Sequence, residues 1–147
     1  MKVIAVNISE KKGQMKHPIE KGNFEIEHGL VGDAHAGNWH RQVSLLGQES
    51  IDKMTAVGVE GLCSGKFAEN ITTEGIELYT LPIGTLLEIG ETLMEVTQIG
   101  KECHAHGCEI FTQVGDCIMP REGIFTKILQ AGCIKSGDEI KVVGKNG

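Results

Sequence analysis

The sequence of 147 residues lacks long apolar runs, an excess of basic charge and the common motifs of nucleotide-binding and hydrolytic enzymes. No stretch approaches the roughly 18 apolar residues of a membrane span. The N-terminus turns polar at Asn7, too early for a signal-peptide core. The formal net charge of −6 argues against non-specific nucleic-acid binding. Without a G-x-G-x-x-G, P-loop or G-x-S-x-G motif, nucleotide-driven and serine-hydrolase activities lose their usual support.

Proline and arginine are scarce, whereas glycine is abundant. Three prolines against 20 glycines predict many tight turns in an ordered chain rather than a flexible linker. The chain has two arginines, so planar, bidentate recognition of an anion depends on Arg41 or Arg121. With 40% hydrophobic residues, we expect one domain over residues 1–147 with a packed core.

The five cysteines are an odd number, and no export signal accompanies them. Free thiols in a reducing compartment therefore fit better than a disulfide framework. We expect a cytoplasmic protein on this ground.

Short β-branched runs separated by glycine turns predict a mainly β fold. The predicted strands cover residues 2–8, 24–27, 41–46, 70–73, 86–89, 92–99, 124–129 and 139–143, and a short helix is the alternative for 124–129. A helix is predicted over 48–57, an exposed loop or loose hairpin over 9–22 and a long loop over 29–40. The sum favours a closed or nearly closed β-barrel with one or two peripheral helices.

The segment from Cys103 to Cys108 places two thiols and two imidazoles within six residues, at Cys103, His104, His106 and Cys108. Thiolate and imidazole are ligands of zinc and copper, so the cluster is a candidate metal site. The spacing differs from the C-x2-C of a zinc ribbon, and an exposed loop remains the alternative. Lys101 and His104 beside Cys103 favour a reactive thiolate there.

Two further segments carry polar side chains suited to a ligand. The 28–41 loop contains His28, Asp33, His35, His40 and Arg41. Arg41 with the following Gln42 and Ser44 is a combination that suits a phosphate or carboxylate, and Asp33 could orient the imidazole of His35. Residues 65–75 combine glycines, a cation, an amide and hydroxyls, which could cradle a polar ligand. A surface salt bridge and an ordinary turn, respectively, are the alternatives.

Several stretches together resemble the MOSC domain, named for the C-terminal part of molybdenum cofactor sulfurase. They are Gly-Asp-Ala-His at 32–35, Arg-Gln-Val-Ser-Leu-Leu at 41–46, Glu-Asn-Ile-Thr-Thr-Glu-Gly at 69–75, Leu-Pro-Ile-Gly at 81–84, Val-Thr-Gln-Ile at 96–99 and Cys103. The resemblance covers nearly the whole chain in the right order. It implies a single stand-alone MOSC-like domain built as a β-rich barrel.

The same resemblance implies that the chain binds molybdenum cofactor, a pterin with a dithiolene and a terminal phosphate. The implied cofactor-binding residues are His35, Arg41, Gln42, Ser44, Lys66, Glu69, Asn70 and Thr72. Cys103 matches the cysteine that carries sulfur or ligates molybdenum, and a thiolate suits either role.

The function expected from the resemblance is a cofactor or sulfur carrier, a sulfuration factor or a small molybdenum-dependent oxidoreductase. A cysteine desulfurase or a molybdoenzyme is the expected protein partner, with no nucleic acid and no membrane. Two rival hypotheses stay open: a zinc or copper module built on the Cys103–Cys108 cluster, and a structural domain whose thiols are incidental.

Overall fold

The computed structural model describes residues 1–11, 15–56, 67–100 and 122–145. The strands are β1 (Lys2–Ile8), β2 (His17–Ile19), β3 (Lys21–Glu25), β4 (Gly29–Leu30), β5 (Val43–Gly47), β6 (Ile71–Glu74), β7 (Thr85–Ile89), β8 (Thr92–Ile99), β9 (Ile124–Gln130), β10 (Gly132–Lys135) and β11 (Ile140–Lys145). The α-helix α1 (Gln48–Ala56) and a 3-10 turn (Leu78–Thr80) accompany them. The mainly β class is therefore confirmed.

Each predicted strand has a counterpart, and the helix predicted over 48–57 is α1. The loop predicted over residues 9–22 is only partly right, because it contains β2 and the start of β3. Since β2 pairs antiparallel with β1, the alternative of a loose hairpin describes this segment better. β4 and β10 were not predicted. The two residues of β4 are too few for a periodic pattern to stand out, and β10 follows β9 after a single residue.

The strands form two sheets. The larger has the order β11-β7-β8-β9-β5-β6-β1-β2, and the smaller has the order β10-β3-β4. β5 and β6 are parallel, and α1 lies in the connection between them, as a parallel crossover requires. An isolated bridge joins Lys2 to Glu139, beside the start of β11. In the described ranges the larger sheet does not close, so the barrel stays a prediction.

β5 runs through the middle of the larger sheet, between β9 and β6. All five of its residues are buried, and Val43 and Leu45 belong to the main hydrophobic core. A strand covered on both faces does not alternate between apolar and polar, so polar residues such as Ser44 become buried too. This central strand leads from the predicted anion loop into α1.

No helix in the described part of the chain is long and apolar enough to cross a membrane. The nine-residue α1 instead packs one side against the sheet, burying Ile51 and Met54.

Candidate functional site

A small pocket lies at the start of β5. Its lining, among the described residues, comes from the loop before β5, from β5, from the segment before β6 and from β9: His35, Trp39, Arg41, Ser44, Ala68, Asn70 and Phe125. Four of the residues predicted to bind cofactor thus converge on one cavity. Its volume of about 60 Å³ is well below the roughly 300–1,000 Å³ of pockets that enclose a whole small ligand.

Arg41 is the cation of this pocket. Its guanidinium carbon lies 5.3 Å from the centroid of the Phe125 ring and 6.0 Å from that of Trp39. Its Nε donates to Oε1 of Gln98 at 3.0 Å. Within the described ranges, neither terminal nitrogen of Arg41 has a hydrogen-bond partner. The fork of the guanidinium is therefore held in place by Nε and by aromatic packing, with the N–H groups of both terminal nitrogens left for a planar or tetrahedral oxyanion.

Gln98, at the end of β8, fixes the orientation of Arg41. Its Oε1 lies 3.0 Å from Nε2 of His40 as well as from Nε of Arg41. Its Nε2 donates to the carbonyl of Gly100 at 2.7 Å. Because an amide uses its oxygen and nitrogen on opposite sides, Gln98 ties the pocket arginine to the chain leaving β8.

Ser44 and Asn70 join β5 to the segment before β6. Oδ1 of Asn70 accepts from the backbone N–H of Ser44 at 3.0 Å and lies 3.1 Å from Oγ of Ser44. The backbone N–H of Asn70 in turn donates to the carbonyl of Ser44 at 2.9 Å. The two side chains therefore hold the pocket wall together through their own hydrogen bonds, and they also present polar groups to a ligand.

An ion pair is buried below the His35 side of the pocket. Nζ of Lys16 lies 2.7 Å from Oδ1 of Asp33, and both side chains have no exposed area. Burial alone would raise the pKa of Asp33. The charge of Lys16 and hydrogen bonds from Lys16, Asn70 and the N–H of Ser9 outweigh burial and hold that pKa below its ordinary value. Asp33 is therefore a carboxylate, and it accepts from the backbone N–H of His35 at 3.1 Å.

Glu69 and Thr72 lie behind the pocket and do not line it. Both are completely buried. Oγ1 of Thr72 donates to Oε2 of Glu69 at 2.8 Å and accepts from Nδ2 of Asn7 at 3.0 Å. The other carboxylate oxygen of Glu69 accepts from the N–H of Phe67 at 3.3 Å. In the structure Thr72 thus ties β6 to Asn7 of β1, and Glu69 joins Thr72 to the backbone of Phe67.

Gln42 also points away from the pocket. It is 3% exposed, and its Oε1 accepts from the backbone N–H of Ile128 at 2.9 Å. The side chain thus supplies a hydrogen-bond acceptor to the backbone of strand β9.

The remaining predicted site residues lie outside the described ranges. These are Lys66, Cys103, His104, His106 and Cys108. Among the residues that are described, no group of three or more His, Cys, Asp or Glu side chains is arranged to hold a metal ion. The predicted zinc or copper site and the role of Cys103 stay predictions.

Sequence reasoning missed several residues that build the pocket. Lys16 falls in a segment predicted to be exposed, and nothing in its neighbours signals burial. Trp39 is the single tryptophan and stands two residues before Arg41, a signal that was available. Gln98 and Phe125 are brought to Arg41 only by the pairing of β8 with β9 and of β9 with β5.

A second cavity, of about 280 Å³, lies between α1 and the 3-10 turn. Nζ of Lys53 donates to both carboxylate oxygens of Glu122, at 2.9 and 3.0 Å, and to the hydroxyl of Tyr79 at 3.2 Å. The hydrogen bonds to Glu122 and Tyr79 raise the pKa of Lys53. None of the predicted site residues lines this cavity, whose described cation is already paired.

The two sheets and the pocket around Arg41 define a mainly β protein with a cation in its pocket. The sequence model of the MOSC domain matches residues 32–141, well over half of the chain. The chain therefore belongs to the MOSC domain family. No curated protein matches it significantly.

Solved structures have the same fold. The YuaD protein of Bacillus subtilis superimposes with a TM-score of 0.78 at 19% identity, over 95% of this chain and 93% of that one. YiiM of Geobacillus stearothermophilus gives 0.72 at 16% identity, over 97% and 74% of the two chains. YiiM of Escherichia coli gives 0.70 at 16% identity, over 99% and 71%. At such identities the likeness shows the fold alone.

Proposed function

We propose that this chain binds molybdenum cofactor, with Arg41 at the terminal phosphate and Cys103 as the molybdenum ligand or sulfur carrier. The observation that carries the proposal is the convergence of His35, Arg41, Ser44 and Asn70 on one pocket in a chain of the MOSC family. The family resemblance implies the same four residues as cofactor-binding residues.

The pocket fits the anionic end of such a cofactor. A guanidinium with two terminal nitrogens available, held by Gln98 and packed on Phe125, suits the bidentate recognition of a phosphate. The volume of about 60 Å³ suits a group of that size and not a whole pterin. Trp39, which is 38% exposed at the mouth, offers an aromatic face to the remainder of the ligand.

Chain length supports a place for Cys103 near this pocket. Gly100 accepts from Gln98, the same side chain that holds Arg41. Three residues of chain span at most about 11 Å, so Cys103 is tethered within that distance of Gly100. When bound, the cofactor supplies a molybdenum centre for sulfur or oxygen-atom chemistry. The protein's part is to bind the phosphate, orient the ligand and offer one thiolate.

The proposal also includes protein partners and a cellular compartment. A role as a sulfur carrier needs a protein that supplies sulfur, such as a cysteine desulfurase, and a molybdoenzyme that receives it. A small oxidoreductase needs instead an electron donor. Free thiols fit a reducing cytoplasm for either role.

The decisive experiment measures molybdenum and fluorescent pterin in protein purified without oxygen from a host that makes the cofactor. We expect both in the wild type, both reduced in Cys103→Ser and both unchanged in Cys133→Ser. Cys133 is the matched control because it lies on β10, which pairs with β3 and does not line the pocket. Arg41→Lys keeps the charge but loses the fork, and we expect it to lower pterin and molybdenum together.

Three other outcomes would contradict the proposal. Zinc or copper without pterin, lost in Cys108→Ala, would establish the metal module instead. Neither metal nor pterin in any variant would favour a structural domain. Molybdenum that is equally lost in Cys103→Ser and Cys133→Ser would deny Cys103 a special role.

A further inference from the structure

The ammonium of Lys16 lies directly against the imidazole that lines the pocket. Its Nζ is 3.2 Å from Nδ1 of His35, 2.7 Å from Oδ1 of Asp33 and 3.0 Å from Oγ of Ser9. An ammonium has three N–H donors and no acceptor, so Lys16 must be the donor in each of these contacts. The Lys16 side chain has no exposed area and cannot turn to solvent for other partners.

This contact decides where the ring of His35 carries its proton. Nδ1 accepts from Lys16 and therefore bears no hydrogen, so the proton of the neutral ring is on Nε2. The distance from Nδ1 to the nearer oxygen of Asp33 is 3.9 Å, too long for a competing hydrogen bond. Asp33 instead accepts the backbone N–H of His35 at 3.1 Å, which fixes the position of the residue.

The arrangement is the reverse of the usual pairing of histidine with a carboxylate. A carboxylate on Nδ1 takes the Nδ1 proton and leaves a lone pair on Nε2, which suits a general base or a metal ligand. Here the group on Nδ1 is a cation, and the carboxylate stands behind that cation. The side chain of His35 lines the pocket and is 29% exposed, whereas that of Lys16 is not exposed at all. Since Nδ1 is the ring atom that contacts Lys16, Nε2 lies on the other side of the ring.

We propose that Lys16 is a positioning residue that fixes His35 as its Nε2–H tautomer and so makes His35 a hydrogen-bond donor to the ligand of the Arg41 pocket. An anionic group then meets an N–H from His35 beside the guanidinium of Arg41, and not a lone pair that would repel it. The tautomer of His35 is independent of the proposed function, whereas the role of His35 toward an anion rests on that proposed function.

The tautomer is measured by the nitrogen chemical shifts and ring couplings of His35 in the full chain labelled with nitrogen-15, at pH 8. At that pH unperturbed histidines are neutral. We expect a protonated Nε2 and an unprotonated Nδ1 in the wild type. The His35→Gln spectrum assigns the signals, and the exposed His17 and His40 serve as internal references. A protonated Nδ1 in the wild-type protein would overturn the proposal without any variant.

Lys16→Met tests whether Lys16 causes the tautomer. We expect the Nδ1–H form to gain population, because the carboxylate of Asp33 is then the nearest partner for the ring. A purely structural role of Lys16 would not move these shifts, so unchanged shifts in folded Lys16→Met would overturn the proposal. Should that variant not fold, Lys16→Met with Asp33→Asn removes both buried charges, and we expect two tautomers there.

The role as donor is tested with inorganic phosphate as the probe. We expect His35→Leu to bind phosphate about tenfold more weakly than the wild type, and His35→Gln, which retains an N–H donor, to bind it more tightly than His35→Leu. Equal affinity for His35→Leu and the wild type would overturn the donor role. Failure of the wild type to bind phosphate would instead contradict the anion pocket of the proposed function, while the nitrogen shifts still decide the tautomer.

Discussion

At the scale of single residues, Lys16 and Asp33 form a fully buried ion pair in the described part of the chain. Both side chains lie fully out of solvent, 2.7 Å apart. A buried pair contributes little compared with an apolar pair of the same shape, but removal of one partner strands a charge. We therefore assign the pair a positioning role for His35 and the loop before β5, and not a large net contribution to stability.

Removal of either partner alone should be costly. We expect Asp33→Asn and Lys16→Met each to lower the free energy of unfolding by about 3–5 kcal/mol, because each leaves an uncompensated buried charge. Urea denaturation at pH 7 measures the loss. In the double variant we expect a smaller loss than the sum of the two. Strict additivity would show that the two charges do not depend on one another.

The depressed pKa of Asp33 makes stability depend on pH in acid. The unfolded chain takes up a proton at the ordinary aspartate value, whereas the folded chain resists it. The contribution of Asp33 is therefore complete above roughly pH 4 and is lost as the pH falls through the lower, folded value. Urea denaturation between pH 6 and pH 2 should show a steeper decline for the wild type than for the Lys16→Met, Asp33→Asn double variant. Parallel curves would contradict this assignment.

The sequence predicts that Gln42 binds cofactor, whereas in the structure its side chain bonds to the backbone of β9. We expect Gln42→Ala to cost about 1–3 kcal/mol, because the N–H of Ile128 loses its buried acceptor. The pterin content of the folded protein should not change. Gln130→Ala, which removes an exposed hydrogen bond at the end of the same strand β9, is the control and should cost less than about 0.5 kcal/mol. Selective loss of pterin from stable Gln42→Ala would restore the role expected from the sequence.

At the scale of elements, the short β4 depends on a glycine at a close approach of two chain segments. Gly29 has a φ of +105°, and a Cβ there would lie 2.5 Å from the carbonyl oxygen of Gln42. Gly32 has a similar φ of +90°, but a Cβ there would be 3.4 Å from its nearest neighbour, a methyl of Ile8. The two glycines thus share the conformational requirement and differ in the space around them.

That difference predicts unequal costs for the same substitution. Gly32→Ala should cost about 1–2 kcal/mol, the ordinary penalty for a side chain at positive φ. Gly29→Ala should cost about 1–3 kcal/mol more, because backbone must move to admit the methyl group. Thermal and urea unfolding of the two variants provide the comparison. Equal losses would mean that the contact with Gln42 relaxes freely.

At the scale of the whole molecule, strand order predicts which parts open first. β5 and β9 lie inside the larger sheet and are mostly buried, whereas the three-residue β2 forms its edge and is mostly exposed. We expect amides of β5 and β9 to exchange only through global unfolding and those of β2 through local opening. Hydrogen exchange at several low urea concentrations separates the two, since only global exchange accelerates with the full urea dependence. Equal protection of β2 would contradict the edge assignment.

The sequence by itself determined most of the strands, the helix and the principal cation. Alternation, β-branched runs and glycine turns are local signals, and they located β1, β5, β7, β8 and β9. Arg41 stood out because arginine is scarce. The resemblance to the MOSC family, carried by contiguous motifs, was confirmed by the match over residues 32–141.

Only the tertiary structure decided which polar side chains face the pocket and which hold the sheets together. Gln42 acts as an acceptor because the fold brings it to the N–H of Ile128, 86 residues away in the chain. Lys16 is buried because β1, the loop before β5 and the segment before β6 meet around Asp33. Such roles depend on contacts between distant segments, and no local pattern encodes them. Residue type and spacing fix what a side chain is able to do, and strand pairing fixes what it meets.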